Sequence, residues 1–149
     1  MESKRNNIIH VGCGNIRHEG MTNLTKEDLD ITKPWPYEDN SVDGIVSQQV
    51  LQQIEWRGLI KALKEMYRVL RDGGVMRFGT MLIEDNTAEQ ALGWNNINLF
   101  SFDLLKRVLE EVGFTDVRIK KYQDSDIEEF KKVDNRPHKG SSYIECIKL

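Results

Sequence analysis

The sequence lacks any apolar run approaching the ~18 residues that cross a bilayer, and its first seven residues lack the apolar core of a signal peptide. Cysteine is scarce, since Cys13 and Cys146 are the only two. Both lie in strand-like or glycine-turn contexts, which predicts reduced thiols in a cytoplasmic protein. His10, Cys13 and His18 match no established zinc spacing, so we expect no metal site.

An excess of positive charge is also missing. The chain has 21 Lys and Arg against 24 Asp and Glu, which gives a net charge of −3 and a pI of about 5.7. This balance offers no electrostatic case for nucleic-acid binding. The basic cluster at 118–121 is short and is interpreted as a solvated strand edge. With 149 residues, 39% of them hydrophobic, the chain is expected to form one domain over residues 1–149.

A glycine turn follows a short apolar segment near the start of the chain. Residues 8–11 have strand character and lead directly into Gly12 and Gly14. Glycines at such a turn permit sharp bending and close approach of a ligand to the main chain. The third glycine of the dinucleotide pattern would fall at Arg17, so the motif does not favour NAD. A glycine loop without a ligand is the alternative interpretation.

The hydrophobic pattern predicts alternating strands and helices. One helix is indicated by apolar residues at i, i+4, i+7 and i+11, and a second by an N-cap at Ser101 and a stop at Gly113. The first stripe consists of Leu59, Leu63, Met66 and Leu70. The strand-like segments are 8–11, 21–24, a short piece near 29–31, 42–47, 74–82, 116–122 and 142–148.

This order predicts an α/β fold with a mainly parallel sheet. The first two connections are too short to contain full crossover helices, so one face of the sheet is expected to be thinly covered. The final strand follows a turn-rich connection and is expected to pair antiparallel as a hairpin. The loop 83–99, which contains Trp94, is a candidate site or lid.

Three segments together resemble a known family. They are the glycine loop 11–15, the passage 30–47 and the segment 62–74, which ends in Arg68-Val69-Leu70-Arg71-Asp72-Gly73-Gly74, and 105–114 is a weaker fourth match. The chain resembles class I S-adenosylmethionine-dependent methyltransferases, and among them the small type 11 group. The resemblance implies a Rossmann-like fold with a seven-stranded sheet of order 3-2-1-4-5-7-6 and an antiparallel last strand. The short connections of this sequence predict that its helices are reduced on one face.

The resemblance also implies S-adenosylmethionine as cofactor and a role for individual residues. Gly12 and Gly14 would pack under the methionine part, Asp30 would accept from the adenine amino group, and Ile31 would contact the ring. Residues just after the fourth strand would line the cofactor and face the substrate. The full implied set is His10, Gly12, Cys13, Gly14, Asn15, Thr25, Asp30, Ile31, Ser47, Gln48 and Gln49.

The chain departs from the family pattern at positions that matter for chemistry. His10 stands where many members carry an acid, and Thr25 stands where an acid usually accepts from the ribose hydroxyls. Glu27 or Asp28 could substitute by a small shift. Relatives often read H-V-L-E-H where this chain has residues 49–53 with three glutamines, so no general base is expected there and no catalytic residue is assigned.

Two functions from different classes follow from this pattern. The first is methyl transfer to a small-molecule or glycan-like acceptor. The second is a catalytically weak or inactive methyltransferase-fold protein that acts through a protein partner, with self-association as a further expectation because of the thin face. Two other residues are expected to be structural. Trp35 would anchor a turn against the core rather than stack on a ligand, and Arg68 would pair with Glu65 on a helix surface.

Overall fold

In the computed structural model the described residues are 6–93, 96–134 and 140–149. The strands are β1 (Ile8–Val11), β2 (Thr22–Leu24), β3 (Val42–Gln48), β4 (Leu70–Met81), β5 (Thr115–Lys120) and β6 (Ser141–Ile147). The helices are α1 (Trp56–Val69), α2 (Ala88–Leu92) and α3 (Phe102–Val112), with 3-10 turns at Leu51–Gln53, Ile83–Asp85 and Glu128–Phe130. Within these ranges no helix has the length and apolar character to cross a bilayer.

The strands form one sheet in the order β2-β1-β3-β4-β6-β5. Pairs β1–β2, β1–β3 and β3–β4 are parallel, whereas β6 is antiparallel to both β4 and β5. The expected antiparallel last strand is therefore confirmed. The expectation of seven strands is wrong for the described residues, because 29–31 lie outside any strand. Lys33 donates to the Asp30 carbonyl at 3.0 Å, so this segment bends into a turn instead of joining a ladder.

Both predicted helices form for the reasons that the pattern gives. Three of the four stripe residues are buried on α1, and the helix passes directly into β4 at Leu70. The Ser101 side chain accepts from the Leu104 amide at 3.1 Å, which caps α3, and Gly113 ends it with a φ of 131°. The short helix α2 was not expected; it begins at a Thr87–Gln90 capping box inside the predicted loop. Trp94 lies outside the described residues.

The two faces of the sheet are covered in different ways. Successive strand residues point to opposite faces. On one face, which we call the helix face, α1 and α3 pack on apolar strand residues such as Ile45, Met76 and Phe78. We call the opposite face the latch face. On the other, no helix packs among the described residues. There the connection 121–134, which we call the latch segment, packs against the sheet. Its residues Ile127, Phe130 and Val133 belong to a second apolar cluster. The strand residues of this cluster are Ile8, Val46 and Val75.

The reduced helix cover predicted for one face is thus confirmed, and the face is not bare. Gly44 of β3 permits the fit, because a Cβ there would lie 2.9 Å from the ring of Phe130. The chain itself therefore supplies the cover that we expected from a second protein. Both cysteines are free and buried.

Candidate functional site

A pocket of about 510 Å³ opens at the carboxyl ends of the first strands. This volume lies within the ~300–1,000 Å³ range of small-molecule sites. The pocket lies at the edge where open parallel sheets bind ligands. It is lined by Gly12, Lys26, Glu27, Leu29, Asp30, Ile31, Thr32, Val50, Gln53 and Ile54.

The glycine loop forms the floor on the β1 side. Gly12 has a φ of 63°, and a Cβ at this position would lie 2.6 Å from Cγ2 of Val50. The loop is fastened to the sheet because the Cys13 amide donates to the Leu24 carbonyl at 3.0 Å. A larger residue at position 12 would collide with Val50 on the opposite wall, so glycine keeps the two sides of the pocket apart.

The acid at one end of the pocket is held in a fixed orientation. Oδ1 of Asp30 accepts from the Thr32 amide at 3.0 Å and from the Thr32 hydroxyl at 2.7 Å. These two hydrogen bonds lower the pKa of Asp30 below its ordinary value, so the group is a carboxylate at neutral pH. An exposed, oriented carboxylate can accept from a ligand amino group.

An apolar wall stands beside this carboxylate. It consists of Leu29, Ile31, Val50 and Ile54. Trp35 supports it from below, since its indole nitrogen donates to the Ile31 carbonyl at 3.0 Å and the residue is buried. The Trp35 amide in turn donates to Glu65, which pairs with Arg68 at 2.7 Å. The structural roles expected for Trp35 and Arg68 are therefore confirmed, and the wall is built on α1.

Thr25 does not line the pocket, and its neighbours Lys26 and Glu27 do. Its amide and hydroxyl both donate to Oδ2 of Asp28, at 2.9 and 3.1 Å, which closes a small turn. The Asp28 carboxylate is engaged in this turn as well. Glu27 is consequently the carboxylate after β2 that faces the ligand space.

His10 lies on the opposite face of the sheet from α1. Its Nδ1 is 3.0 Å from Oδ1 of Asn23, and its ring stacks on His18 with centroids 4.6 Å apart. Burial lowers the pKa of His10 to about 4, so the imidazole is neutral at physiological pH. His10 does not line the pocket and supplies no charge to it.

The remaining predicted residues lie at the margins. Cys13, Gly14, Asn15, Ser47, Gln48 and Gln49 do not line the pocket. Gln49, with a φ of 58°, donates to the Ser141 hydroxyl at 3.1 Å, and its Oε1 accepts from Gln52 at 2.7 Å. Thr80 donates to Gln52 at 3.0 Å. This network of amides and hydroxyls contains no group that titrates near neutral pH.

Part of the chain matches a known protein family. Residues 13–78 match the family model described as a methyltransferase domain. The match covers less than half of the chain, and over that part the chain is similar to class I S-adenosylmethionine-dependent methyltransferases. The cofactor of this family is S-adenosylmethionine. A comparison with proteins of curated function finds no significant match.

Solved methyltransferase structures share the fold. An S-adenosylmethionine-dependent methyltransferase from Archaeoglobus fulgidus has a TM-score of 0.65 at 17% identity, over 97% of this chain and 86% of that one. A chain from the complex of the Haloferax volcanii Trm112 methyltransferase activator with a methyltransferase candidate has a TM-score of 0.63 at 13% identity, over 97% and 83%. A Haemonchus contortus phosphoethanolamine N-methyltransferase has 0.64 at 10% identity, over 99% and 50%.

Several residues that line the pocket were not predicted from the sequence. Val50 and Ile54 are two of them, and they flank the segment that contains Gln52 and Gln53. Their apolar character at the end of a predicted strand was the available signal. Glu27 was noted only as a substitute for Thr25, and the structure brings it to the pocket.

Proposed function

We propose that the pocket between Gly12 and Asp30 binds S-adenosylmethionine and that the chain, as a single domain over residues 1–149, transfers its methyl group to a small-molecule acceptor or a glycan-like one. The observation that carries this proposal is the pocket itself. It combines a glycine floor, an apolar wall and two carboxylates, those of Glu27 and Asp30, at the ligand-binding edge of the sheet.

The residues present fit the chemical groups of the cofactor. A flat purine needs an apolar surface, which Ile31 and Val50 offer, and an acceptor for its amino group, which Asp30 offers. Vicinal ribose hydroxyls need a carboxylate acceptor. Glu27 lines the pocket and can supply one, whereas Thr25 does not line the pocket and donates to Asp28. When bound, the cofactor supplies an electrophilic methyl group on a sulfonium with a good leaving group.

What remains for the protein is to hold the acceptor close and in line. The amide network of Gln49 and Gln52 can position an acceptor by hydrogen bonds and cannot remove a proton from it. An acceptor that needs no base, such as a neutral amine or a thiolate, suits this site better than an alcohol. Ile97, 60% exposed, donates its amide to the Gln52 carbonyl at 2.8 Å and offers an apolar contact beside the pocket.

Calorimetric titration with S-adenosylhomocysteine tests the cofactor assignment. Asp30→Ala should weaken binding roughly tenfold or more, because an amino donor loses a charged acceptor. Thr32→Val removes the hydroxyl bound to Asp30 and keeps the carboxylate, so it should bind more tightly than Asp30→Ala. Asp72→Ala, at an exposed position outside the pocket, is the matched control and should bind like the wild type. No binding by the wild-type chain would refute the proposal.

A second candidate function is action through a protein partner with little activity alone. The Haloferax volcanii complex with a methyltransferase activator favours this alternative, as do the side-chain amides of Gln49, Gln52 and Gln53, which do not titrate near neutral pH. Light scattering of the purified chain and methyl transfer to amine, thiol and hydroxyl acceptors discriminate the two. Turnover by a monomer supports the first function, whereas cofactor binding without turnover supports the second.

A further inference from the structure

The strongest polar feature of the chain lies away from the pocket, under the latch segment. Arg77 of β4 is fully buried and uses all five of its N–H groups. It pairs with Asp134 and with Glu145 of β6, each at 2.6 Å, and both carboxylates have fully buried side chains. It also donates to the carbonyls of Lys121 and Asp124, at 3.0 and 2.7 Å. One strand side chain therefore fixes both ends of the latch segment.

This cluster reaches the pocket wall through β3. Nε2 of Gln48 donates to Oδ1 of Asp134 at 3.4 Å, and both residues are buried. The Gln48 side chain packs closely on Gly79, where a Cβ would overlap with its Oε1. One residue later, Gln49 bends the chain with a φ of 58°, and Val50 then forms the wall opposite Gly12. The position of Val50 thus depends on where Asp134 holds Gln48.

A second contact joins the latch segment to the glycine loop. Burial lowers the pKa of His18, which follows the glycines, while the main chain of Val133 and the charge of Asp134 act in the opposite direction. Its ring stacks on His10 of β1. Its Nε2 is buried and has no hydrogen-bond partner in the described part of the chain. Residues next to the glycine floor and next to the Val50 wall, His18 and Gln48, therefore both interact with the end of the latch segment.

We propose that Asp134 is a positioning residue for the cofactor pocket, so that closure of the latch segment over the sheet and binding of S-adenosylmethionine favour one another. The inference rests on the proposed function. Coupling between two sites is reciprocal. Loosening the latch segment must weaken cofactor binding, and cofactor binding must protect the latch segment from opening.

Two measurements on the purified chain test this coupling. In calorimetry with S-adenosylhomocysteine, Asp134→Asn should raise the Kd about fivefold or more. Asp126→Asn is the matched control, since it makes the same change in the same segment at an exposed carboxylate, and it should leave the Kd unchanged. In hydrogen exchange, the ligand should slow exchange of the amides of 121–134 in the wild type, and slow it less in Asp134→Asn.

A further control separates positioning from general loss of stability. Val69→Ala removes buried volume from α1 on the helix face and lowers stability without touching the latch segment. If it weakens ligand binding as much as Asp134→Asn, the inference is overturned. It is equally overturned if Asp134→Asn binds like the wild type or if the ligand leaves exchange of 121–134 unchanged. Absence of binding by the wild type would instead refute the proposed function and the inference with it.

Discussion

The helix face and the latch face of one sheet are stabilised by different physics. On the helix face, α1 and α3 bury leucines such as Leu63 and Leu109, whose contribution grows with the apolar area removed from water and has no direction. On the latch face, three apolar residues are joined by a buried cluster of one guanidinium and two carboxylates. The hydrogen bonds that a planar guanidinium donates have strict directions.

The difference shows how a chain that lacks crossover helices on one face of its sheet can still hold the latch segment over that face in a defined position. A buried ion cluster adds little net stability, because desolvation offsets much of the attraction, yet breaking it leaves charges without partners. It therefore specifies position more than it stabilises. The helix face needs no such device, since two long amphipathic helices have only one way to bury their stripes.

The largest expected effect is at Arg77. Arg77→Met leaves two buried carboxylates unpaired and should lower the free energy of unfolding by about 3–5 kcal/mol, measured by urea titration. Arg77→Lys keeps the charge but cannot donate to two carbonyls and two carboxylates together, so it should lose stability as well. Leu63→Ala, the reference on the helix face, should cost about 2–5 kcal/mol. A loss below 1 kcal/mol for Arg77→Met would show that the two faces do not differ as described.

The next effect is the pH dependence contributed by His10. Burial lowers its pKa to about 4 in the folded chain, against 6.5 in the unfolded chain. The unfolded state therefore binds a proton that the folded state does not, and stability falls as the pH drops from 6.5 towards 4. The loss should reach up to about 3 kcal/mol. Urea titrations at several pH values should show that His10→Asn removes most of this slope. A variant that keeps the full slope would contradict the assignment to His10.

A smaller effect is expected where the latch segment meets β3. Gly44→Ala places a Cβ 2.9 Å from the ring of Phe130 and should cost about 1–3 kcal/mol. Phe130→Leu shortens the opposing side chain, so the double variant should lose less than the sum of the two single losses. Strict additivity in thermal or urea unfolding would mean that the two residues do not press on one another.

The smallest effect tests the exposed side of the same segment. Asp126 pairs with Arg118 at 2.8 Å and with Lys120 at 3.3 Å, and its side chain is 65% exposed. Surface pairs of this kind contribute little and are screened by salt. Asp126→Asn should leave the urea midpoint unchanged within error. A clear loss of stability would mean that the exposed pairs also help to hold the latch segment.

The sequence predicts the regular part of the fold well because its signals are local. The stripe at Leu59, Leu63 and Met66, the cap at Ser101 and the stop at Gly113 all lie within single elements. The strand near 29–31 was wrong because Leu29 and Ile31 carry strand-like side chains but are buried from a turn. Apolar content alone does not distinguish these two kinds of burial.

The latch segment and half of the pocket wall could not be derived in the same way. Asp134 lies 57 positions from Arg77, and nothing in the local pattern joins them. A signal did exist, since Arg77 and Glu145 each interrupt a short apolar run within their strands, and a charge in such a place predicts a buried partner. The Asp30 site was accessible only through the resemblance, and the structure adds the turn in which Thr32 orients its carboxylate.

The place of β6 in the sheet has a consequence for the order of folding. It is the last described strand in the chain, yet it lies between β4 and β5. Until it is synthesised, β4 has an unpaired edge along Val75–Phe78, and the Arg77 guanidinium has neither Asp134 nor Glu145 beside it. An open apolar edge of this kind invites pairing with other chains. A nascent chain that stops before residue 141 is therefore expected to be the species most prone to aggregation.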